Sequence, residues 1–303
     1  MSKITTSLLQ EMVQAAATRL GKQAEYVNSL NVFPVPDGDT GTNMGMTMDN
    51  GAKAVADQSA STVGEVGQIL SKGLLMGARG NSGVITSQLF RGFGQSIKDK
   101  TELDGQDLAH AFQAGVEVAY KAVMKPVEGT ILTVAKVTAE KAVACARETE
   151  DFNEFAEVVI KEANAILKKT PDMLPVLKEA GVVDSGGQGL MQVMKGALDS
   201  LQGKEIDYSI ETPEKQPAVE TGSASYNIEA QAAQEIKFAY CTQFLIMLEK
   251  PISTRQETEF KEYLESIGDS IVVVADDEIV KVHVHTNDPG LAMQRGLTYG
   301  DHH

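Results

Sequence analysis

The side chains with the clearest chemical potential are two aspartates, Asp37 and Asp39, separated by a single glycine. A turn at Gly38 can direct both carboxylates to one point, and hard oxygen ligands of this kind suit Mg²⁺, which also accepts phosphate oxygens. Hydroxyl and amide side chains follow as far as Asn43, near which a helix is predicted to begin. Because the N–H groups of a helix start attract anions, the loop is interpreted as a magnesium and phosphate site.

Two other interpretations of this loop exist. An acidic surface turn is the simpler one, because Asp-Gly-Asp is a common turn sequence. A calcium loop of the EF-hand type is disfavoured, since the position of the bidentate twelfth ligand, counted from Asp37, is occupied by Met48. The loop alone therefore does not decide between a surface turn and a metal site.

Three further loops, at 77–83, 125–130 and 183–189, place glycine and short polar side chains at predicted helix starts. Any one of them could be an ordinary cap and turn. Four such loops in one helical region exceed what a plain helical bundle needs, which favours a shared anion site. None matches the Walker pattern or a dinucleotide-binding fingerprint, so the predicted phosphate site is of a non-Walker type.

The elements that must position these loops are helices. Frequent alanine and rare β-branched alternation predict an all-helical domain over residues 1–203. A stretch of prolines, acids and small residues at 204–234 is interpreted as a linker. Alternating apolar residues then predict a small α/β domain over 235–303. The predicted helices lie near 4–16, 62–76, 82–97, 105–123, 130–147, 152–169, 187–201 and 256–267, and the strands at 236–248, 270–275 and 279–285.

Cys241, His283 and His285 form a second candidate cluster in the predicted α/β domain. The two histidines alternate with valines, so on a strand both imidazoles lie on one face. A thiolate and two imidazoles on neighbouring strands could bind Zn²⁺, with water or a carboxylate as the fourth ligand. The alternative is a pair of partly exposed histidines and a buried free thiol.

Bulk composition narrows the function classes. The 303 residues carry a formal net charge of −15, which disfavours non-specific binding to nucleic acid or anionic membranes. Two cysteines argue against a disulfide scaffold. The N-terminus lacks the pattern of a secretion signal, and no stretch predicts a membrane span. We expect a cytoplasmic protein without an integral membrane segment.

Four ordered motifs resemble the nucleotide-binding domain of dihydroxyacetone kinases. They are Asp37-Gly-Asp-Thr-Gly-Thr-Asn43, Gly80-Asn-Ser-Gly83, Pro126-Val-Glu-Gly-Thr130 and Asp184-Ser-Gly-Gly187. A longer similarity, which includes Asn31-Val-Phe-Pro-Val-Pro36 and the α/β domain, is to the ATP-binding subunits of bacterial fatty acid kinases, which work with carriers of the DegV type. The resemblance covers essentially the whole chain.

This resemblance implies an all-α barrel of eight helices, of the dihydroxyacetone kinase L-type, followed by a small α/β domain. It implies ATP at one rim with two Mg²⁺ ions on Asp37 and Asp39, and with Asn31 nearest to the position of a third ligand. It implies a catalytic role for the two aspartates and for Arg79, which could stabilise the transferred charge, and structural zinc on Cys241, His283 and His285. The implied nucleotide contacts are Thr40, Gly41, Thr42, Asn43, Met44, Asn81, Ser82, Gly83, Thr130, Ile131, Leu132, Asp184, Ser185 and Gly186.

The implied activity is phosphorylation of a fatty acid carboxylate, which a separate fatty-acid-binding carrier protein presents, to give an acyl phosphate for phospholipid synthesis. The α/β domain is expected to form a homodimer, and the family pattern implies a further domain beyond this chain. Three alternatives stay open: a kinase for dihydroxyacetone or a similar hydroxylated metabolite, a non-enzymatic nucleotide-binding adaptor, and a metal-dependent phosphohydrolase.

Overall fold

The computed structural model describes residues 3–211 and 237–302, which fall into two compact units. The helical unit contains the described residues up to Tyr120 and those from 127 to 211. The second unit contains residues 237–302 and also the short segment 121–126.

The described part of the helical unit contains eight long helices of 15 to 22 residues and two short helices of six residues. This confirms the predicted all-helical domain with eight main helices. The two short helices, α2 and α9, were not predicted. The helices are α1 (Thr6–Lys22), α2 (Ala24–Ser29), α3 (Thr40–Asp57), α4 (Val63–Gly77), α5 (Gly80–Ile97), α6 (Gly105–Ala122), α7 (Ile131–Glu148), α8 (Phe152–Met173), α9 (Pro175–Ala180) and α10 (Ser185–Leu201).

Small residues allow these helices to pack backbone against backbone. A Cβ atom on Gly196 of α10 would lie 2.7 Å from the carbonyl oxygen of Ala15 on α1. A Cβ atom on Gly92 of α5 would lie 2.4 Å from the carbonyl oxygen of Ala114 on α6. The alanine and glycine content that predicted helices therefore also sets their close spacing.

The interior of the helical unit is apolar. Leu20, Met44, Met48 and Leu74 are fully buried. A cavity with an apolar lining lies among α1, α5, α8 and α10.

The second unit is an antiparallel sheet with strand order β2-β3-β1-β4 and two helices. Strand β1 pairs with β3 so that Cys241 lies opposite His285. Its core is apolar and includes Phe244, Phe260 and Val282. The predicted small α/β domain is confirmed, and α12 and β4 are added to it. The elements are β1 (Tyr240–Met247), α11 (Thr254–Ile267), β2 (Gly268–Ala275), β3 (Ile279–Thr286), α12 (Pro289–Gly296) and β4 (Asp301–His302).

The segment 121–126 joins the fold of the second unit. Val123 forms an antiparallel bridge with Val272 of β2. Met124 packs against the core of the second unit, and Lys125 forms an ion pair with Glu265 of α11. Part of the second unit therefore comes from within the first 203 residues, and the predicted domain bounds stay a prediction.

The predicted linker is described by the structure only in its first part. Residues 207–211 are attached to the helical unit by hydrogen bonds to α1 and to Gln23. The part of the predicted linker from 212 to 234 lies outside the described residues. In the described parts of the chain, every helix falls short of the length and apolar character that a membrane-spanning segment needs.

Candidate active site

The acidic loop is organised by the side chain of Asn31. Its Oδ1 atom accepts hydrogen bonds from the Asp39 and Thr40 backbone N–H groups, at 3.1 and 3.2 Å, and from the Thr40 hydroxyl at 2.8 Å. Its Nδ2 atom donates to the carbonyl oxygen of Val35 at 2.9 Å. Asn31 thus satisfies free donors at the start of α3, where Asp39 makes no side-chain cap of its own. Its predicted role as a magnesium ligand stays a prediction.

Helix α2 supports the same helix start. The Asn28 side chain donates to the Thr42 hydroxyl at 2.9 Å and accepts from the Thr42 N–H at 3.0 Å. A Cβ atom on Gly41 would lie 2.2 Å from the carbonyl oxygen of Ala24. Only glycine permits this approach, so the predicted importance of Gly41 has a packing cause as well as any contact with a nucleotide.

The two aspartates of the loop interact unfavourably in the absence of a cation. Gly38 has φ of +69°, which turns the chain between them. Partial burial raises the pKa of Asp37 from 3.8 to about 6, and the hydrogen bond and negative charge of Asp39 act in the same direction. A divalent cation bound by both carboxylates would relieve their repulsion.

The start of α5 packs against the first turn of α3. Gly80 has φ of +61°, and a Cβ atom there would lie 2.6 Å from Nδ2 of the Asn43 side chain. The Thr47 hydroxyl accepts from the Arg79 N–H at 3.2 Å. Asn81 Oδ1 is buried and has no hydrogen-bond partner among the described residues. An unpaired buried acceptor of this kind is costly unless a ligand or water meets it.

The starts of α7 and α10 are joined by one buried carboxyl group. Asp184 Oδ2 accepts from the Gly187 N–H at 2.7 Å and so caps α10, and the backbone N–H of Ile131 on α7 lies close enough to the same carboxyl to lower its pKa. Burial raises the pKa of Asp184 from 3.8 to about 7, although the two N–H donors act in the opposite direction. This carboxyl is therefore a structural link between two of the predicted motifs.

A single hydrogen bond closes the arrangement. The Ser185 hydroxyl at the start of α10 donates to the Thr40 hydroxyl at the start of α3, at 3.1 Å. Together with the contacts above, it links the starts of α3, α5, α7 and α10, which begin at Thr40, Gly80, Ile131 and Ser185. We call this group of four helix starts the rim. The predicted motifs, which are far apart in sequence, therefore meet in one place.

Some predicted nucleotide-contacting residues have buried side chains. Met44 is fully buried and packs against α10, where a Cβ atom on Gly189 would lie 2.5 Å from its sulphur. Ile131 and Leu132 are also buried, at 4% and 2% exposure. Only their backbone groups could face a nucleotide. The remaining predicted contacts, Ser82, Gly83, Thr130 and Gly186, lie at the starts of α5, α7 and α10.

Arg79 is exposed at the start of α5. In the described parts of the chain it has no ion-pair partner. Its predicted role in stabilising the transferred charge stays a prediction.

Several residues that shape the rim were not singled out from the sequence. Asn28 and Thr47 bond to groups at the starts of α3 and α5. The Thr170 hydroxyl accepts from the Asp184 N–H at 3.0 Å. These pairings join positions 14 or 32 residues apart, and no local pattern signals them.

The second cluster is assembled as the strand spacing predicted. Ligand atoms of Cys241, His283 and His285 all lie within 4.8 Å of one another. His283 is buried, Cys241 is exposed, and neither ring nitrogen of His283 has a hydrogen-bond partner among the described residues. Burial lowers the pKa of His283 to about 3, with His285 and Lys281 acting in the same direction. The alternative predicted partly exposed histidines and a buried thiol. It is wrong for His283, which is buried, and for Cys241, which is exposed.

Comparison with solved structures supports the fold. The dihydroxyacetone kinase of C. freundii in complex with AMP-PNP and Mg²⁺ matches 64% of this chain and 34% of that enzyme, with a TM-score of 0.51 and 19% sequence identity. At this identity the match shows a shared fold. The chain therefore shares a helical fold with this structure.

Comparison with sequence families is more specific. The DAK2 domain family matches residues 34–199, and the FakA-like middle-domain family of fatty acid kinases matches residues 237–303. The chain belongs to the DAK2 domain family and is a kinase-family subunit of the FakA-like type.

Longer relatives share most of this sequence. Uncharacterized proteins of Staphylococcus aureus strains bovine RF122 / ET3-1 and USA300 are each 48% identical to it over 300 residues. The alignments cover 99% of this chain and 54% of each relative, so the chain spans about half the length of the curated relatives it matches.

Proposed function

We propose that this chain binds ATP with Mg²⁺ at the rim and transfers the terminal phosphoryl group to a fatty acid carboxylate. A carboxylate oxygen forms the new bond to phosphorus, the bond between the terminal phosphorus and the bridging oxygen breaks, and ADP leaves. The products are an acyl phosphate and ADP. The acyl phosphate would serve phospholipid synthesis, and the use of ATP implies a cytoplasmic location.

The acidic loop fits a magnesium ion. Asp37 and Asp39 supply hard anionic oxygens, and a bound cation would offset both the partial burial and the nearby Asp39 charge that raise the pKa of Asp37. When bound, Mg²⁺ would neutralise phosphate charge in the transfer. Asn31 holds the Asp39 and Thr40 backbone in place and so fixes the backbone position from which the Asp39 side chain extends.

The rim supplies the other donors that a triphosphate needs. The first N–H groups of a helix are free of intrahelical partners, so four gathered starts provide a concentration of donors. The orphaned Asn81 Oδ1 is an acceptor suited to an N–H or O–H donor of a ligand. Arg79, exposed at the start of α5, supplies a positive charge for the transferred group.

A carboxylate acceptor fits the residues that surround the rim. It is ionised near neutral pH and needs no general base, whereas a hydroxyl acceptor needs one. His110 is the only histidine before residue 283, and it lies exposed on α6. The match to the FakA-like middle domain supports a fatty acid as the acceptor and a fatty-acid-binding carrier protein as the partner.

The observation that carries the proposal is the bonded group of four helix starts beside the Asp37–Asp39 pair. An ordinary surface turn has no reason to be held by Asn28, Asn31 and Ser185 from three separate segments. The arrangement is a prepared site for a metal-bound polyanion.

We further propose that Cys241, His283 and His285 hold a structural zinc ion. Their donor set and spacing fit a tetrahedral site. The buried imidazole of His283 has no hydrogen-bond partner among the described residues, so its ring nitrogens are available to a metal ion. Asp269 lies 3.9 Å from His285 Nδ1, where a carboxylate can orient a ligand imidazole.

We also propose that the second unit provides a homodimer surface. The exposed Tyr240, Leu291 and Leu297 are candidate contacts, because large apolar side chains on a surface favour association. Light scattering at several protein concentrations tests the dimer. A mass of one chain at every concentration would contradict it.

Transfer assays with three acceptor conditions test the function. ATP consumption is measured with a fatty-acid-loaded carrier protein, with dihydroxyacetone, and with no acceptor. We expect consumption only with the loaded carrier. Transfer to dihydroxyacetone would support a small-metabolite kinase, and steady phosphate release without acceptor would support a phosphohydrolase. Tight ATP binding with no transfer under any condition would support an adaptor.

A matched pair of variants tests the site. Asp39→Asn should lower transfer about 1000-fold, because it removes a metal ligand and a charge from the site. Asp57→Asn makes the same change at an exposed position at the end of α3 and should leave transfer unchanged. Wild-type transfer rates in a folded Asp39→Asn protein would disprove the assignment.

A further inference from the structure

The short segment 207–211, which we call the strap, lies across α1 and α10. Arg19 of α1 donates to the carbonyl oxygen of Asp207, and Gln23 donates to the carbonyl oxygen of Ser209. The Glu211 backbone N–H donates back to Gln23 Oε1 at 2.9 Å. Backbone and side-chain bonds therefore both fix the strap to the end of α1.

The carboxylate of Glu211 is the centre of these contacts. It accepts from Arg19 at 2.8 Å, from Lys195 at 2.7 Å and from Gln192 at 3.0 Å. Arg19 and Gln192 are themselves buried, at 5% and 0% exposure, and bond to each other at 2.9 Å. Burial opposes the charge of Glu211, but the hydrogen bond and charge of Lys195, helped by Gln192 and Arg19, lower its pKa. Glu211 thus connects α1 to α10 as a partly buried anion between two cations.

Gln23 carries this connection towards the acidic loop. It is fully buried and lies at the corner where α1 ends and α2 begins. Helix α2 then presents Asn28 to Thr42, and its first residue, Ala24, lies against Gly41. Whatever fixes the α1–α2 corner therefore fixes the support of the α3 start.

The opposite side of the strap acts on the same part of the rim. Gln192 and Lys195 lie on α10, whose first residue, Ser185, bonds to Thr40 of α3. Glu211 thus holds the two helices, α1 and α10, that lead to the α3 start from either side.

We propose that Glu211 is a positioning residue, which holds the α1–α2 corner and α10 so that the acidic loop is set for a metal-bound nucleotide. The inference rests on the proposed function, because it assigns the strap to the same site. It predicts that Glu211 affects magnesium-dependent nucleotide binding without touching the nucleotide.

The first test measures binding of AMP-PNP by calorimetry, with Mg²⁺ and with EDTA. We expect Glu211→Gln to raise the Kd about tenfold with Mg²⁺ and to change it less than about twofold in EDTA. Glu205→Gln is the matched control, because Glu205 is an exposed residue just before the strap and loses the same charge. A role in stability alone, which would overturn the inference, would lower the Tm but leave the Kd of the folded protein unchanged under both conditions.

A double-mutant cycle with Asn28→Ala tests the route. If Glu211 acts through α2, then Glu211→Gln should change the magnesium-dependent Kd less than about threefold in the Asn28→Ala background. If Glu211→Gln instead raised the Kd a full tenfold in the Asn28→Ala background as well, the two effects would be independent, and the route through α2 would be overturned.

Hydrogen exchange on the unmodified protein tests the same coupling without a variant, in case Glu211→Gln does not fold. Since coupling between two sites is reciprocal, AMP-PNP with Mg²⁺ should slow exchange of the Glu211 N–H by about threefold or more. Unchanged exchange of the Glu211 N–H on binding of AMP-PNP with Mg²⁺ would overturn the inference while leaving the proposed function intact. Failure of the unmodified protein to bind AMP-PNP would instead overturn the proposed function and the inference with it.

Discussion

The acidic loop and the Cys241–His283–His285 cluster are two candidate metal sites with contrasting construction. The loop holds exposed or partly buried carboxylates, and partial burial together with their mutual repulsion raises the pKa of Asp37 to about 6. The cluster holds a buried imidazole on a strand, and its pKa is lowered to about 3. The first site brings two negative charges together, and in the second the buried ring of His283 has no hydrogen-bond partner among the described residues.

The contrast suggests different uses for the two ions. An exposed acidic loop can exchange its metal together with a nucleotide, since neither carboxylate is enclosed. A cluster fixed by strand register has its ligand atoms in place before the metal arrives, which suits a permanent structural ion. The predictions below test this difference.

Metal removal should have the largest effect, and it should be confined to the second unit. Stripping zinc with a strong chelator should lower the free energy of unfolding of the second unit by more than about 5 kcal/mol, because binding energy at such a site is folding energy. Elemental analysis and thermal unfolding followed by circular dichroism would measure this. One zinc per chain is expected, and a protein that contains no zinc and melts unchanged would contradict the structural role.

Asp184→Asn should remove a large pH dependence from the helical unit. A carboxyl whose pKa rises from 3.8 unfolded to about 7 folded favours the folded state when protonated, so its contribution falls as pH rises from about 4 to 7. About three pKa units correspond to about 4 kcal/mol. Asparagine can still accept the Gly187 and Ile131 N–H bonds without this cost.

Unfolding in denaturant between about pH 4 and pH 8 would measure the Asp184 effect. The difference in stability between the variant and the unmodified protein should grow with pH and level off above about pH 7. Parallel curves for the two proteins would show that Asp184 does not titrate in this range.

Asn31→Ala should weaken the acidic loop moderately. It leaves three donors at the α3 start without their acceptor, which should cost about 2 kcal/mol and raise the magnesium concentration needed for nucleotide binding. Asn153→Ala, an exposed change at the start of α8, is the control. Nucleotide binding by both variants is measured over a range of magnesium concentrations. The same magnesium requirement in Asn31→Ala and Asn153→Ala would show that Asn31 does not contribute to the site.

Asp37→Asn should have the smallest effect on stability, and its sign should depend on the metal. In EDTA at about pH 7 the variant should be more stable than the unmodified protein by less than about 1 kcal/mol, because carboxylate repulsion is removed from a largely exposed loop. The difference should vanish as pH falls from about 6 to 4, where Asp37 becomes protonated. Added Mg²⁺ should reverse the order of the melting temperatures, and a variant that melts lower in EDTA would contradict the repulsion.

The sequence was sufficient for some of these features because their cause is local. Strand alternation places His283 and His285 on one face, and the rare β-branched alternation before residue 203 predicts helices. The resemblance to a known family supplied the order of the rim motifs. Local pattern, however, did not separate residues that touch a ligand from those that pack beneath it, as the buried Met44 illustrates.

The rest depends on contacts between distant residues, which no spacing rule contains. Asn28 and Thr42 form a reciprocal pair only because α2 folds against α3. Glu211 belongs to a stretch whose composition is typical of linkers, yet Arg19 and Lys195 hold it. Burial of polar partners is a property of the assembled helices, so the sequence alone did not reveal these contacts of Glu211.

The bridge between Val123 and Val272 also constrains the order in which the protein can mature. On the ribosome, the segment 121–126 emerges long before the strand that pairs with it. Segment 121–126 therefore gains its pairing strand only when β2 has been made. A nascent chain that ends before β2 would already contain the four helix starts of the rim, while segment 121–126 would still lack its partner.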